Sequence, residues 1–124
     1  MKTAMHFFKV TSLFLLLQLW FPAVQAHAFI DHSRPKAGEE LDAPPQAIIL
    51  TFDKSIEPAF SSITIAREES QTAIETGSAQ GVEGEPDKLI LPLPELPPGE
   101  YHVNWVVLAR DGHRTMGDYT FVVK

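Results

Sequence analysis

Apolar residues recur at every second position in five short runs of this chain, and proline or glycine interrupts the intervals between them. In 47–53, Ile48, Leu50 and Phe52 point one way while Ile49, Thr51 and Asp53 point the other. Ile63 and Ile65 keep the same step in 61–66, as do Leu89, Leu91 and Leu93 in 88–93. Tyr101, Val103, Trp105 and Val107 share a face in 101–109, and Tyr119, Phe121 and Val123 share one in 119–123. A strand with one buried face requires this period of two. Pro44-Pro45 and Pro97-Pro98-Gly99 mark turns, because proline has no N–H for a ladder and glycine accepts positive φ. No window beyond residue 26 sustains a helical period, and Pro58 reduces 54–60 to a turn. The stretch 68–87, with Gly77, Gly81, Gly84 and Pro86, reads as a mobile connection with one weak strand near 73–76. Six or seven short strands predict a single all-β domain, an antiparallel sandwich or barrel of Ig-like size.

The first 26 residues do not belong to that pattern. Lys2 and Lys9 precede an apolar run from Val10 to Phe21, followed by Pro22 and the small-x-small ending Val24-Gln25-Ala26. This is the layout of an export signal, 1–26, leaving the β-domain as 27–124. The apolar run is about a dozen residues, short of the ~20 that cross a bilayer, so no membrane span is expected after processing. Cleavage after Ala26 starts the mature chain at His27; Ala26-His27-Ala28 is an alternative site that would start it at Phe29. The absence of cysteine excludes a disulfide framework and a lipid-anchored cysteine. All sixteen acidic residues but only eight of the ten basic ones lie in 27–124, a formal charge of −8. That balance argues against nucleic acid and anionic membranes as partners. It favours cations mildly and solubility equally well.

An N-terminal histidine has two donors that no internal histidine has together, a free α-amine and its own Nδ1, which close a six-membered chelate ring. The amine holds its proton weakly, with an ordinary pKa of ~7.7–8.0. Asp111-Gly112-His113 adds a carboxylate and an imidazole two residues apart, on one face of extended chain. His27, Asp111 and His113 therefore form a candidate metal set of nitrogens and an oxygen, suited to tetragonal Cu(II), which also leads the divalent affinity order. The set requires both ends of the chain to meet, and a first and a late strand on one sheet would bring them together.

Further residues tie these features to a known family. His27-Ala28-Phe29, Ser33-Arg34-Pro35, Ile49-Leu50-Thr51-Phe52, Pro58-Ala59-Phe60-Ser61, Pro98-Gly99-Glu100-Tyr101 and Val103-Asn104-Trp105 stand in order along the chain. With the ending from Asp111 to Phe121, they resemble the CopC family of periplasmic copper-resistance proteins, and its short, stand-alone YobA-like members in particular. The resemblance implies a Greek-key β-sandwich or barrel of about seven strands, one Cu(II) per chain, and a periplasmic copper carrier or buffer rather than an enzyme. It implies His27 as amine and Nδ1 donor, His113 as imidazole ligand, and Asp111 as a ligand or a partner just outside the ligand set. It also implies an inner-membrane, CopD-like transporter as a partner for a monomeric protein. Copper release would follow reduction, a competing chelator, or protonation of the donors.

Two departures from the family pattern stand out. Some members hold Cu(I) in a methionine-rich loop, whereas 27–124 has the single methionine Met116, so no thioether site is expected. Some members carry an acid after the Leu-Thr-Phe strand, where this chain reads Asp53-Lys54-Ser55. His32 is either an accessory ligand or a surface histidine; His102 alternates with Tyr101 and Val103 and faces solvent or a neighbouring strand. Trp105 and Tyr119 are in phase with core positions. Two other readings compete: a copper-free Ig-like interaction module, and a histidine-brace copper oxygenase, for which the chain is short.

Overall fold

The computed structural model of the protein describes residues 28–124; the expected signal segment 1–26 and His27 lie outside the described residues. Eight strands run through the described residues: β1 (Ile30–Arg34), β2 (Glu40–Leu41), β3 (Ala47–Phe52), β4 (Ser62–Arg67), β5 (Gln80–Val82), β6 (Glu85–Pro92), β7 (Gly99–Leu108) and β8 (Arg114–Val123). They form two four-stranded sheets, one in the order β1-β3-β6-β5 and the other β2-β8-β7-β4. Every pairing is antiparallel except β2 with β8. The architecture is the all-β sandwich that the alternation predicts.

The inner faces are the period-two positions. Ile48, Leu50, Phe52, Leu89 and Leu91 of the first sheet are buried against Ile63, Ile65, Tyr101, Val103, Trp105, Val107, Phe121 and Val123 of the second. Among the described residues no polar or charged one is buried. Each such aliphatic or aromatic side chain contributes about 1.5–3 kcal/mol when removed from water, and no disulfide shares that task. At the start of β7 the Tyr101 hydroxyl donates to the Pro97 carbonyl, a tie across the turn that β-sandwiches use at such corners.

Three local expectations change. The stretch 68–87 holds β5 and the first residues of β6, and Ala73 bridges to Ala66. β5 lies at the sheet edge and pairs with β6 through backbone, so it needs no alternating side chains. The turn at 54–60 contains a 3₁₀ segment, Pro58–Phe60, and Ile56 is fully buried and bridged to Ala109. The first and the last strands do not share a sheet: β1 pairs with β3, and β8 pairs with β7. The segment before β1 and the β7–β8 tip meet instead across one end of the sandwich, where Thr115 Oγ1 donates to the Ala28 carbonyl at 2.8 Å.

Gly117 fixes how closely β8 approaches the core. A Cβ at this position would lie 2.5 Å from Trp105 Cζ2 and 2.8 Å from Cε2. The indole lies against the Gly117 backbone on that side and packs edge-on to Phe52, ring centres 5.5 Å apart. Gly117→Ala is therefore expected to lower unfolding free energy by about 1–3 kcal/mol through overpacking. Urea denaturation followed by Trp105 fluorescence measures it, and an unchanged midpoint would contradict the close-packed indole.

Candidate metal centre

The β7–β8 hairpin carries the D-x-H motif at its tip. Ala109 N–H donates to the His113 carbonyl at 2.9 Å and Gly112 N–H to the Ala109 carbonyl at 2.9 Å, closing a tight loop. Gly112 has φ +90°, a conformation that a side chain resists, so the spacer in this motif is constrained to glycine. Asp111 Oδ1 accepts the backbone N–H of His113 at 3.0 Å, the local bond by which Asp residues stabilise turns. The same oxygen lies 3.2 Å from His113 Nδ1. Both side chains remain accessible, His113 at 56% and Asp111 at 36%.

The strand-end segment after β3 supports this tip. Arg110 N–H donates to the Ser55 carbonyl at 3.1 Å, and Glu57 N–H to the Leu108 carbonyl at 2.8 Å. Lys54 Nζ reaches Asp111 Oδ2 at 3.6 Å. The His113 N–H first, then its imidazole and the Lys54 ammonium, hold the Asp111 carboxyl below its ordinary pKa against a smaller effect of burial. Asp111 is thus a carboxylate at neutral pH, with one oxygen turned to His113 and the other to Lys54.

The first described residues reach the same end of the molecule. Ala28 is fully buried, and its carbonyl is held by Thr115, two residues beyond His113. Phe29 N–H donates to Asp53 Oδ1 at 2.8 Å, and Asp53 N–H returns to the Phe29 carbonyl at 2.9 Å. Asp53 therefore ties down the first residues of the domain, and Lys54 beside it pairs with the motif carboxylate. His27 itself lies outside the described residues, and among those described no cluster of three or more His, Cys, Asp or Glu side chains is placed to hold a metal ion.

The other histidines sit elsewhere. His32 lies 3.6 Å from Asp31 on the solvent side of the first sheet, in an open groove lined also by Thr51, Glu85 and Lys88. His102 is on the outer face of the second sheet, clasped between two carboxylates: Nδ1 is 2.8 Å from Glu68 Oε2 and Nε2 is 2.7 Å from Asp118 Oδ2. Sequence reasoning missed this clasp, because Glu68 and Asp118 come from opposite neighbours of β7 and only the pairing of the three strands assembles them. Trp105 belongs to the core and Tyr119 packs against it, both in phase as expected.

A cysteine-free, two-sheet β-sandwich, with its first residues bonded beside a histidine–carboxylate hairpin tip, defines a narrow class of small domain. The CopC domain matches residues 30–124, and the chain belongs to the CopC family. It is 41% identical over 111 residues to Protein YobA of Escherichia coli strain K12, covering 89% of each chain. Among solved structures it resembles CopC of Methylosinus trichosporium OB3b, with a TM-score of 0.75 and 36% identity over 79% of this chain and 94% of that one. It also resembles PcoC, a methionine-rich copper resistance protein of Escherichia coli, with a TM-score of 0.69 and 30% identity over 80% of this chain and all of that one.

The His102 clasp has a pH signature. The Asp118 hydrogen bond chiefly, with the charges of Glu68 and Asp118, raises the His102 pKa above its ordinary value despite a partial offset from burial. A raised folded pKa means the imidazolium favours the folded state. That stability is fully present below the unfolded value of ~6.5 and is lost as pH rises through the folded value. His102→Asn should therefore lower the melting temperature more at about pH 5.5 than at about pH 9. Equal losses at both pH values would show that the charge contributes nothing.

Proposed function

We propose that the protein is a Cu(II)-binding carrier or buffer of the periplasm, working on copper as cargo rather than as an enzyme. One observation carries this reading: the Thr115–Ala28 hydrogen bond brings residue 28 to within two residues of His113. Two residues of extended chain span about 7 Å, a gap that an amine and an imidazole bonded to Ala28 bridge easily. With cleavage after Ala26, His27 supplies its α-amine and Nδ1 and His113 supplies a third nitrogen. The contact of Asp111 with His113 Nδ1 supports Nε2 as the metal-facing atom of His113, with Asp111 orienting the ring as carboxylates do behind metal-bound histidines. For Asp111 to ligate the metal itself, it would have to leave the ring and Lys54 and turn an oxygen to the ion. Family membership and the copper-resistance relatives support copper as the cargo.

The donor set favours the oxidised ion. Nitrogen and carboxylate oxygen suit Cu(II), whereas Cu(I) prefers thioethers, and Met116 is the one methionine of 27–124. Reduction of bound copper would then loosen it, giving a release step to a membrane transporter of the CopD kind. The acidic balance of the domain accords with cation capture without adhesion to anionic lipid.

Two experiments test the reading. Protein shown by mass to begin at His27 should bind one Cu(II) with a tetragonal EPR spectrum and quench Trp105. One added N-terminal residue should weaken binding by at least about a hundredfold, since it removes donors rather than a mere outer partner. Equal binding by both forms would remove the N-terminus from the site. Lys54→Ala, by deleting a cation beside Asp111, should tighten binding by about three- to tenfold at low salt, with the gain shrinking at high ionic strength. Competition against a chromophoric chelator reads both constants; unchanged or weaker binding by the Lys54 variant would mean that Asp111 is not in the metal's field.

A further inference from the structure

Thr115 occupies a position where its hydroxyl calls for an explanation. On β8 it is in phase with Gly117, Tyr119, Phe121 and Val123, the residues that face the opposite sheet. Valine has nearly the same shape and no group to satisfy, so on packing alone it would serve at least as well. The hydroxyl is instead spent on one bond, 2.8 Å to the Ala28 carbonyl, across 87 residues of sequence.

That bond differs in kind from the others near the chain start. The Phe29–Asp53 bonds, one backbone and one through the Asp53 carboxylate, extend the β1–β3 pairing on the first sheet. Thr115 belongs to the second sheet, on the strand that leaves the His113 tip. It is therefore the link between the first residue of the domain and the hairpin that carries the motif. With the Ala28 methyl buried, its carbonyl held by Thr115 and the next amide held by Asp53, residue 28 is fixed from three sides.

We infer that Thr115 is a positioning residue for the metal site: its hydroxyl aims the peptide before β1 so that the amine and imidazole of residue 27 are presented to His113. The inference rests on the copper reading above and deepens it. Ordering a free chain end costs about 1–2 kcal/mol per residue; a clamp formed during folding meets that cost before the metal arrives. Affinity thereby depends on a hydroxyl that never touches the ion.

The experiment is a double-mutant cycle on the processed protein. Thr115→Val, Thr115→Ser and wild type are each prepared starting at His27, and each again with one extra N-terminal residue; Cu(II) affinity is measured by chelator competition. Thr115→Val should weaken binding about five- to thirtyfold in the native-start form. Thr115→Ser, which keeps the hydroxyl, should restore most of it. In the extended form, where the chelate is already lost, Thr115→Val should have little further effect.

A loss of the same size in native-start and extended forms would mark a general structural effect and overturn the inference. So would a Thr115→Val protein that binds as wild type does while wild type remains sensitive to the extension; in that case the copper reading stands and the positioning role falls. Wild type indifferent to the extension would overturn both, and the two failures are thereby told apart.

Discussion

Burial of one face of each sheet against the other is the constraint on which everything else in this molecule depends. Without cysteine, the domain has only its apolar inner layer to offset the entropy of ordering the chain. That layer admits no buried polar residue, so every group able to meet an ion is pushed to the rims and outer faces. The long β7–β8 pair, in register from Gly99–Val123 to Leu108–Arg114, delivers the Asp111–His113 tip to one rim as a rigid extension of the core. The carrier chemistry proposed here is thus a property of an edge held still by a centre that takes no part in it.

That rim is built from pieces distant in sequence. Ala28, Asp53, Lys54, Ser55, Asp111, His113 and Thr115 come from the segment before β1, the end of β3 and the last hairpin. Their local charges nearly balance, although the chain as a whole is acidic. Lys54 is the least expected member. In the metal-free protein it shares Asp111 with His113, so an incoming cation meets a carboxylate that already has a counter-ion. Such an arrangement lowers affinity and eases release, which suits a carrier better than a permanent store.

The outer faces tell a different story from the rim. His102, drawn between Glu68 and Asp118, has both ring nitrogens committed to carboxylates on opposite sides, so no single ion meets all three groups through that ring. It ties the segment after β4 to β7 and β8. The three described histidines are thus unequal for geometric reasons, and His113 is the one at the end of the sandwich where residue 28 is held.

The alternation of Ile48, Leu50 and Phe52, of Tyr101, Val103, Trp105 and Val107, and of Tyr119, Phe121 and Val123 was enough to determine the strands, their buried faces and the sandwich class. A period of two admits no other placement once one face must leave water. The D-x-H turn was equally legible, because Asp, Gly and His act there over two residues. Strands β2 and β5 were not legible, being two and three residues long and paired through backbone at sheet edges. Only the tertiary structure decided that the segment before β1 meets the β7–β8 tip across two sheets rather than within one. It alone revealed that Thr115 and Asp53 hold the first residues, that Lys54 faces Asp111, and that His102 is clasped by two acids. Those contacts join residues separated by 24, 87, 57, 34 and 16 positions, and local pattern carries no information about which distant backbone a side chain will meet.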